Sequence, residues 1–289
     1  MRPDAIIKTL EDAGFEARYV GGCVRDGLLG KMPHDWDICT AALPEQTLLL
    51  FPDAITTGLR HGTVTVRSGG VSVEVTTFRS EGAYSDHRHP DSVWFVSDLT
   101  ADLARRDFTV NAMALSASGV LQDPFGGRGD LSAGMLRAVG DPERRFQEDA
   151  LRMLRAVRFS AQLGFRIEQE TETAIRMCAP LTEALAAERV RDELEKTLLS
   201  TNPQLLGMMH GMGLLRQHIS RAISVRWDAL WAVPPERLQR WMALVLLLAE
   251  AGDPLSLLAS LRLDNKTAQA CRDCVALRSM QPRLSLIHI

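Results

Sequence analysis

The chain has 289 residues, of which 46% are hydrophobic and 24% are charged, with a formal net charge of −3. This composition excludes a disordered chain, and it excludes a strong overall positive field that would hold a polyanion. A chain of this length is expected to form about two domains, so any nucleic acid would have to bind a local basic patch.

Two features predict where the protein resides. The N-terminus lacks the apolar core of a signal peptide, and the apolar run 243–249 is far shorter than a membrane-spanning helix. The five cysteines are scattered, and Cys271 and Cys274 form a CxxC pair without two further zinc ligands at suitable spacing. We therefore expect a soluble, cytoplasmic protein with reduced thiols and no membrane partner, and we interpret the CxxC pair as two helical cysteines.

Up to about residue 135, short strand patterns alternate with glycine-rich turns. The pattern predicts strands at 17–20 and 36–40, with Gly21-Gly22 and a helix through Leu29 between them. Residues 63–66 and 71–78 alternate between apolar and polar side chains around the turn 67–70, which predicts a β-hairpin.

After residue 135 the pattern is helical. The predicted helices are 146–163 ending at Gly164, 168–178, 188–199, and leucine-rich helices separated by prolines. The predicted fold class is therefore an α/β head with a mixed sheet and helices, followed by an all-helical region.

Asp35 and Asp37 flank Trp36 at the predicted second strand. Residues two apart on a strand point to the same face, with Cα atoms about 6.6 Å apart. Two carboxylates aimed at one point suit two divalent ions, and Mg²⁺ prefers such oxygen ligands. A solvated turn would carry the same pair, and His34-Asp35 also fits a metal-phosphohydrolase dyad whose other ligands are not evident.

Glu74 lies on the polar face of the predicted strand 71–78, opposite the valines. Beside a strand that carries two aspartates, it is a candidate third metal ligand or a holder of metal-bound water. A glutamate on the polar face of a strand is otherwise simply solvated.

Gly21-Gly22 separates a strand from a helix, and Arg25 falls in the first helical turn. Glycine lets the backbone approach a phosphate closely, and helix-start N–H groups favour anions. Arg25 could then fork onto a phosphate oxygen. A tight turn followed by a surface arginine would look the same.

Five motifs occur in a fixed order. They are GGCVRD at 21–26, HDWD at 34–37, RRDFTVNAMA at 105–114, DPFGGRGDL at 123–131 and EDALRMLRAVRF at 148–159. This set resembles the class II CCA-adding tRNA nucleotidyltransferases, in their Gram-positive form, and the related bacterial poly(A) polymerases. The resemblance covers residues 15–200.

It implies a catalytic head at 1–135, a neck at 136–200 that recognises the base, and a partial helical body at 201–289. Because the family's tail domain is missing, we expect weaker tRNA anchoring with an intact nucleotide site.

The resemblance also implies roles for individual residues. It assigns Asp35 and Asp37 to two Mg²⁺ ions. In the head it assigns contacts with the nucleotide to Gly22, Arg25, Arg106, Asp107 and Asn111. In the neck it assigns contacts with the incoming base to Asp149, Arg152, Arg155 and Arg158. Of the last four, Arg158 is the least well placed, because a step of three residues drifts by about 60° around a helix.

The Asp149–Arg152 pair has a rationale in hydrogen bonding. Cytosine and adenine each present an amino donor beside a ring-nitrogen acceptor, whereas uracil and guanine present a carbonyl beside a ring N–H. A carboxylate that accepts from the amine and a guanidinium that donates to the ring nitrogen would select C and A without a template. An ordinary surface ion pair at i,i+3 is the alternative.

The implied reaction is template-independent addition of CCA to the 3′ end of tRNA from CTP and ATP, releasing pyrophosphate. Residues 78–96, with Asp86, Arg88 and Pro90, resemble the family's flexible loop, which argues for all three nucleotides rather than CC alone; a mobile surface loop is the other interpretation. A poly(A) polymerase or an A-adding enzyme is the alternative activity, and a non-catalytic RNA-binding module is a remote one. The sequence predicts neither the oligomeric state nor the metal preference.

Two charged segments receive structural interpretations. We expect 123–131 to couple head to neck. We interpret ERVRDELEK at 188–196 as a charged helix with surface i,i+4 pairs such as Arg191–Glu195.

Overall fold

The computed structural model of the protein describes residues 3–59, 62–82, 92–220, 223–250 and 254–280. The chain divides into two compact units, 1–141 and 142–289. The first unit contains a mixed sheet with helices, and the second is built of helices. The predicted fold class, an α/β head followed by a helical region, is confirmed.

The first unit begins with a helix and then interleaves strands with short helices. Its elements are α1 (Asp4–Asp12), β1 (Ala17–Val20), α2 (Gly22–Leu28), β2 (Trp36–Thr40), α3 (Pro44–Leu50), β3 (Ile55–Gly58), β4 (Thr63–Ser68), β5 (Val71–Thr77), β6 (Arg79–Glu81), β7 (Val93–Phe95), α4 (Leu99–Ala104), β8 (Ala114–Leu115), β9 (Leu121–Gln122), α5 (Gly127–Ala133) and β10 (Met135–Leu136). Strands β1 and β2 have the predicted bounds.

The central sheet of this unit has seven strands among the described residues, in the order β3-β4-β5-β2-β1-β8-β9. Neighbouring strands are antiparallel except for β2 and β5, which run parallel. That parallel pairing sets Asp37 of β2 beside Glu74 of β5 in register. Two acidic residues from different parts of the sequence therefore meet at the centre of the sheet.

The β4–β5 hairpin follows its sequence pattern. Val73 and Val75 are buried, with 0% and 1% of their surface exposed, whereas Glu74 between them is exposed. Gly69 and Gly70 in the turn have φ angles of +57° and +80°. Two consecutive positive φ angles match the right-handed twist of the flanking strands, and glycine adopts them without steric cost.

The segment predicted as a flexible loop, 78–96, is partly sheet. Its ends form β6 and β7, which pair antiparallel with Arg79 opposite Phe95. Asp86, Arg88 and Pro90 lie outside the described residues. The prediction about their role in nucleotide choice remains a prediction.

The second unit consists of helices and one short strand. Its elements are α6 (Pro142–Glu148), α7 (Leu151–Leu163), β11 (Arg166–Ile167), α8 (Gln169–Cys178), α9 (Ala187–Leu198), α10 (Leu206–Gly211), α11 (Arg237–Ala249), α12 (Leu255–Ser260) and α13 (Asn265–Met280). Its core includes Phe146, Leu154, Leu194 and Trp241, each with 0% of its surface exposed. No helix in the described ranges is long and apolar enough to span a membrane.

The single helix predicted at 146–163 is wrong, because the structure has two helices with Asp149 and Ala150 between them. The Asp149 carboxylate accepts a hydrogen bond from the backbone N–H of Leu151, at 3.0 Å. Aspartate favours helix starts because its side chain satisfies N–H groups that have no partner within the helix. A residue predicted to lie inside a helix therefore stands at the start of α7, and the helix ends at Gly164 as predicted, with φ +74°.

Candidate active site

The paired carboxylates occupy the start of β2. Asp35 lies in the bend directly before the strand and is exposed, whereas Asp37 lies in the strand and is half-buried. Trp36 between them is buried, with 8% of its surface exposed, and packs against Tyr19 with ring centroids 5.2 Å apart. The alternation expected of a strand thus separates the two acids from the apolar side of the sheet.

The electrostatics centre on Asp37. Burial is the main cause that raises the pKa of Asp37 to about 6; the positive charge of Arg106 opposes it, and the negative charges of Glu74 and Asp35 add to it. Three acidic side chains therefore repel one another around a partly desolvated position. Such a cluster becomes favourable when a cation shares it.

The donor set fits a divalent metal that is shared with a substrate. No group of three or more His, Cys, Asp or Glu side chains able to hold a metal ion occurs in the part of the chain that the structure describes. Glu74 therefore does not complete a cage with the aspartates. Mg²⁺ usually binds one or two carboxylates together with water and substrate phosphates, and Asp35 and Asp37 match that pattern.

Arg106 reaches the carboxylates through a gap left by Gly21. A Cβ atom built on Gly21 would lie 3.2 Å from Nη1 of Arg106 and 3.6 Å from Oδ2 of Asp37, and Gly21 has φ +76°. Both observations require glycine at this position. The predicted contact of Gly22 with the nucleotide remains a prediction.

Asp102 orients the two arginines of the RRD motif, and the sequence analysis missed it. Its carboxylate accepts from Arg105 at 2.8 Å, from Arg106 at 3.2 Å and from the backbone N–H of Arg79 at 3.2 Å. Its surface is 0% exposed. Burial opposes the charge, but Arg105 and Arg106 outweigh that effect and hold the pKa of Asp102 below its ordinary value. The spacing of three and four residues along α4 was the available signal.

Three of the predicted nucleotide-binding residues form one hydrogen-bonded chain. Arg25 Nη1 donates to Asn111 Oδ1 at 2.7 Å, and Asn111 Nδ2 donates to Asp107 Oδ1 at 3.1 Å. Arg25 also pairs with Asp26 at 2.8 Å. All three linked residues are buried, with 6–9% of their surface exposed. Residues 86 positions apart in sequence are thus brought together, and each fixes the orientation of the next.

The DPFGGRGDL segment supports the turn that carries Asn111. Thr109 donates its hydroxyl to Asp130 at 2.7 Å, and Asp123 accepts from the backbone N–H of Gly127 at 2.7 Å. A Cβ atom on Gly127 would lie 2.2 Å from the carbonyl oxygen of Thr109, so only glycine fits there. The segment is therefore a brace within the first unit. Its predicted role in coupling head to neck remains a prediction.

An apolar cavity of about 410 Å³ lies elsewhere in the first unit. Its lining includes Tyr19, Val24, Leu28, Met32 and Trp36. Large apolar pockets are the usual place to look for a binding site. Here the polar and titratable groups converge instead at Asp37 and Arg106, and we place the candidate site there.

A second polar cluster lies in the other unit, at the junction of α6 and α7. Asp149 accepts from both terminal nitrogens of Arg189, at 3.4 Å and 3.0 Å. Arg152 donates to Glu148 at 2.7 Å and to the carbonyl oxygen of Arg145 at 3.0 Å. The two residues predicted to read the base are thus each held by a partner that the sequence analysis did not identify.

Arg155 and Arg158 differ from that pair. Arg158 is buried, forms an ion pair with Glu193 of α9, and lies over the ring of Phe159 with 3.7 Å from its Cζ atom to the ring centroid. These contacts give Arg158 a packing role between α7 and α9. Arg155 is half-buried, with its Cζ atom 5.1 Å from the same ring centroid.

The interpretation of ERVRDELEK as a surface helix is wrong in part. Glu193 is buried and pairs with Arg158, and the half-buried Arg189 pairs with Asp149. The predicted Arg191–Glu195 pair is wrong too, since Arg191 bonds Asp192 and the carbonyl oxygen of Arg262. Glu195 instead accepts from Arg237 and from the indole of Trp241.

Comparison with known proteins identifies the family of the chain. The family described as "Poly A polymerase head domain" matches residues 17–137, and "Probable RNA and SrmB- binding site of polymerase A" matches residues 164–223. The CCA-adding enzyme of Lactobacillus helveticus is 55% identical over 191 residues, which cover 66% of this chain and 48% of that protein. The CCA-adding enzyme of Geobacillus kaustophilus is 41% identical over 288 residues, covering 96% of this chain and 70% of that protein.

A solved structure extends the likeness to three dimensions. The crystal structure of the Bacillus stearothermophilus CCA-adding enzyme in complex with CTP superimposes with a TM-score of 0.82 at 38% identity, covering 98% of this chain and 72% of that one. The chain belongs to the class II CCA-adding enzyme and poly(A) polymerase family, a nucleotidyltransferase family whose members typically depend on a metal. It spans about half the length of the Lactobacillus relative, 48%.

Proposed function

We propose that the protein adds CCA to the 3′ end of tRNA from CTP and ATP without a template, releasing pyrophosphate. One observation carries the proposal: the Asp35–Asp37 pair, Arg106 and Arg25 are assembled in the head of a chain that is 41% identical over 288 residues to a CCA-adding enzyme. The tRNA 3′ end, CTP and ATP are the proposed partners.

The chain's own residues would act on the nucleotide from two sides. Arg106, held by Asp102 beside Asp37, would stabilise negative charge on the triphosphate. Its Nε is buried and has no hydrogen-bond partner among the described residues, so its donors are not all used within the protein. Arg25, fixed by Asn111, would contribute a second positive charge.

Asp35 and Asp37 would hold two Mg²⁺ ions, which when bound lower the pKa of the attacking 3′-hydroxyl and neutralise the leaving pyrophosphate. The repulsion of Asp37 by Glu74 and Asp35 supports this assignment, because a bound cation would relieve it. Glu74, exposed and beside Asp37 in register, would hold a water molecule bound to the metal.

Asp149 and Arg152 would select the nucleotide. A carboxylate that accepts from an amino group and a guanidinium that donates to a ring nitrogen favour cytosine and adenine over uracil and guanine. Asp149 lies between α6 and α7, and Arg152 lies in the first turn of α7. Arg155 would lie beside this pair.

The proposal is tested by supplying each labelled nucleotide in turn, with Mg²⁺, to a tRNA that lacks its last three nucleotides. We expect CMP to be incorporated first, AMP only after two C residues are present, and neither UMP nor GMP. Incorporation of AMP alone, with no need for CTP, would identify an A-adding enzyme or a poly(A) polymerase. No incorporation at all would leave an RNA-binding module and refute the proposed activity.

A further inference from the structure

We infer that Arg189 is a positioning residue for nucleotide selection, fixing the Asp149 carboxylate so that it presents only acceptors to the incoming base. The inference rests on the proposed function, in which Asp149 reads the base. Arg189 itself lies in a segment whose sequence suggested only a surface helix.

Arg189 binds Asp149 through both terminal nitrogens of its guanidinium group. Nη1 donates to Oδ1 at 3.4 Å and Nη2 donates to Oδ2 at 3.0 Å, so each nitrogen binds a different oxygen. We call this pair of hydrogen bonds the clamp. The backbone N–H of Leu151 donates to Oδ1 at 3.0 Å. The carboxylate is thus bound both by a side chain of α9 and by the backbone of α7, and these bonds oppose its rotation.

The partial exposure of this pair leaves room for a base. The side chains of Arg189 and Asp149 are 25% and 18% exposed. An ionised carboxylate has about four acceptor positions. Three N–H donors occupy some of them, and the remaining positions accept from an amino group but repel a carbonyl oxygen. Because all neighbours of Asp149 named here are donors, the carboxylate stays an acceptor.

Arg152, three residues after Asp149, is bound by other partners than the clamp. Arg152 is anchored by Glu148 at 2.7 Å and by the carbonyl oxygen of Arg145 at 3.0 Å. Glu148 in turn is shared with Arg145 at 2.9 Å. Asp149, the proposed acceptor, and Arg152, the proposed donor, are therefore each fixed by different partners before a base binds. Such preorganisation is what a recognition site requires.

Without the clamp, Asp149 keeps its backbone bond but can rotate and take water or another cation as partner. A carboxylate in several orientations discriminates less between an amino group and a carbonyl group. The expected defect is therefore in selectivity between nucleotides. A residue that only ties α9 to α7 would lower the stability of the protein and the rate for all nucleotides alike.

The test compares Arg189→Gln and Arg189→Lys with the wild-type chain, measuring kcat/KM for CTP and for UTP on a tRNA lacking CCA. Arg176→Gln serves as the control, because Arg176 forms an exposed i,i+4 pair with Glu172, 53% and 35% exposed, in a helix that carries no proposed site residue. We expect the CTP-over-UTP preference to fall roughly tenfold in Arg189→Gln, the size of one lost charge-assisted hydrogen bond. Arg189→Lys should recover part of the preference, and Arg176→Gln should retain all of it.

A second variant separates positioning from general weakening. If Arg189 acts through Asp149, the double variant Asp149→Asn with Arg189→Gln should be no less selective than Asp149→Asn alone. Equal losses for CTP and UTP in Arg189→Gln, with the preference unchanged, would overturn the inference.

If the wild-type chain incorporates no nucleotide, it is the proposed function that fails. Binding of CTP against UTP, measured by calorimetry with Mg²⁺, then decides the role of Arg189. A CTP preference that Arg189→Gln abolishes supports the inference, and a preference that persists or is missing from the wild type contradicts it.

Discussion

The acids of the head and the acids of the helical unit stand in opposite electrostatic surroundings. Around Asp37, the neighbouring Glu74 and Asp35 add negative charge, and the pKa of Asp37 rises to about 6. At the α6–α7 junction, Asp149 has Arg189 at 3.0 Å and Glu148 has Arg152 at 2.7 Å. The first cluster is unfavourable without a cation, whereas the second is already neutralised within the protein.

The difference matches two tasks. At a site that binds cations, repulsion between neighbouring carboxylates strengthens cation binding, because the bound ion relieves that repulsion. A position that distinguishes hydrogen-bonding patterns gains from fixed geometry, which internal ion pairs supply. Under the proposed function, substitutions in the head should change the rate of transfer, and substitutions at the α6–α7 junction should change the choice of nucleotide.

The largest expected effect is the loss of turnover in Asp35→Ala. Removing one of two cation-binding carboxylates should lower the rate of addition by about 10³-fold or more, the scale of losing a dominant electrostatic contribution to the transition state. Single-turnover incorporation of CMP measures it, and Asp12→Ala, at an exposed aspartate of α1, is the matched control. Turnover within tenfold of the wild-type rate would remove the metal-binding assignment.

The next effect concerns the support of the RRD arginines. Asp102→Ala leaves Arg105 and Arg106 without their buried partner, and removing one member of a buried pair costs about 3 kcal/mol or more. Denaturant unfolding measures it. Glu172→Ala breaks the exposed pair with Arg176 and should cost less than about 0.5 kcal/mol. Similar losses in both variants would show that Asp102 does not hold the arginines.

Asp37→Asn should make the metal-free protein more stable while abolishing activity. Because the folded-state pKa is raised from 3.8 to about 6, the stability contributed by protonated Asp37 is complete below pH 3.8 and is lost as the pH rises through 6. The amide does not ionise, so at pH 7.5 the variant should gain about 1–2 kcal/mol, after allowance for the partial exposure of Asp37.

The gain should vanish near pH 3, where Asp37 is neutral in the folded and the unfolded state. Unfolding in the presence of a chelator at the two pH values measures this difference, and added Mg²⁺ should narrow it at pH 7.5 by stabilising only the wild type. A variant that is less stable than the wild type at pH 7.5 would contradict the repulsion inferred around Asp37.

Local patterns predicted the head well because its elements are set by short-range rules. The alternation of 71–77, the glycines of the β4–β5 turn and the bounds of β1 and β2 all follow from side-chain period and turn chemistry. The break at Asp149 was missed because a helical pattern continues across it, and only the side-chain bond to Leu151 marks the new start.

The partners of the site residues were harder to predict. Arg25 meets Asn111 across 86 positions, and Arg189 meets Asp149 across 40, so tertiary packing decides both contacts. In ERVRDELEK seven of the nine residues are charged, and nothing in their order indicates that Arg189 pairs with Asp149 or that Glu193 is buried against Arg158. Asp102 is different, since its spacing to Arg105 and Arg106 was visible in the sequence.

Sequencing the 3′ ends of a tRNA lacking CCA, after incubation with the protein, Mg²⁺, CTP and ATP, tests the central claim most directly. The account predicts ends that stop at CCA, since selection by the helical unit and transfer by the head must both operate to give that product. Ends that carry runs of A, or a mixture in which U and G enter freely when all four nucleotides are supplied, would contradict it.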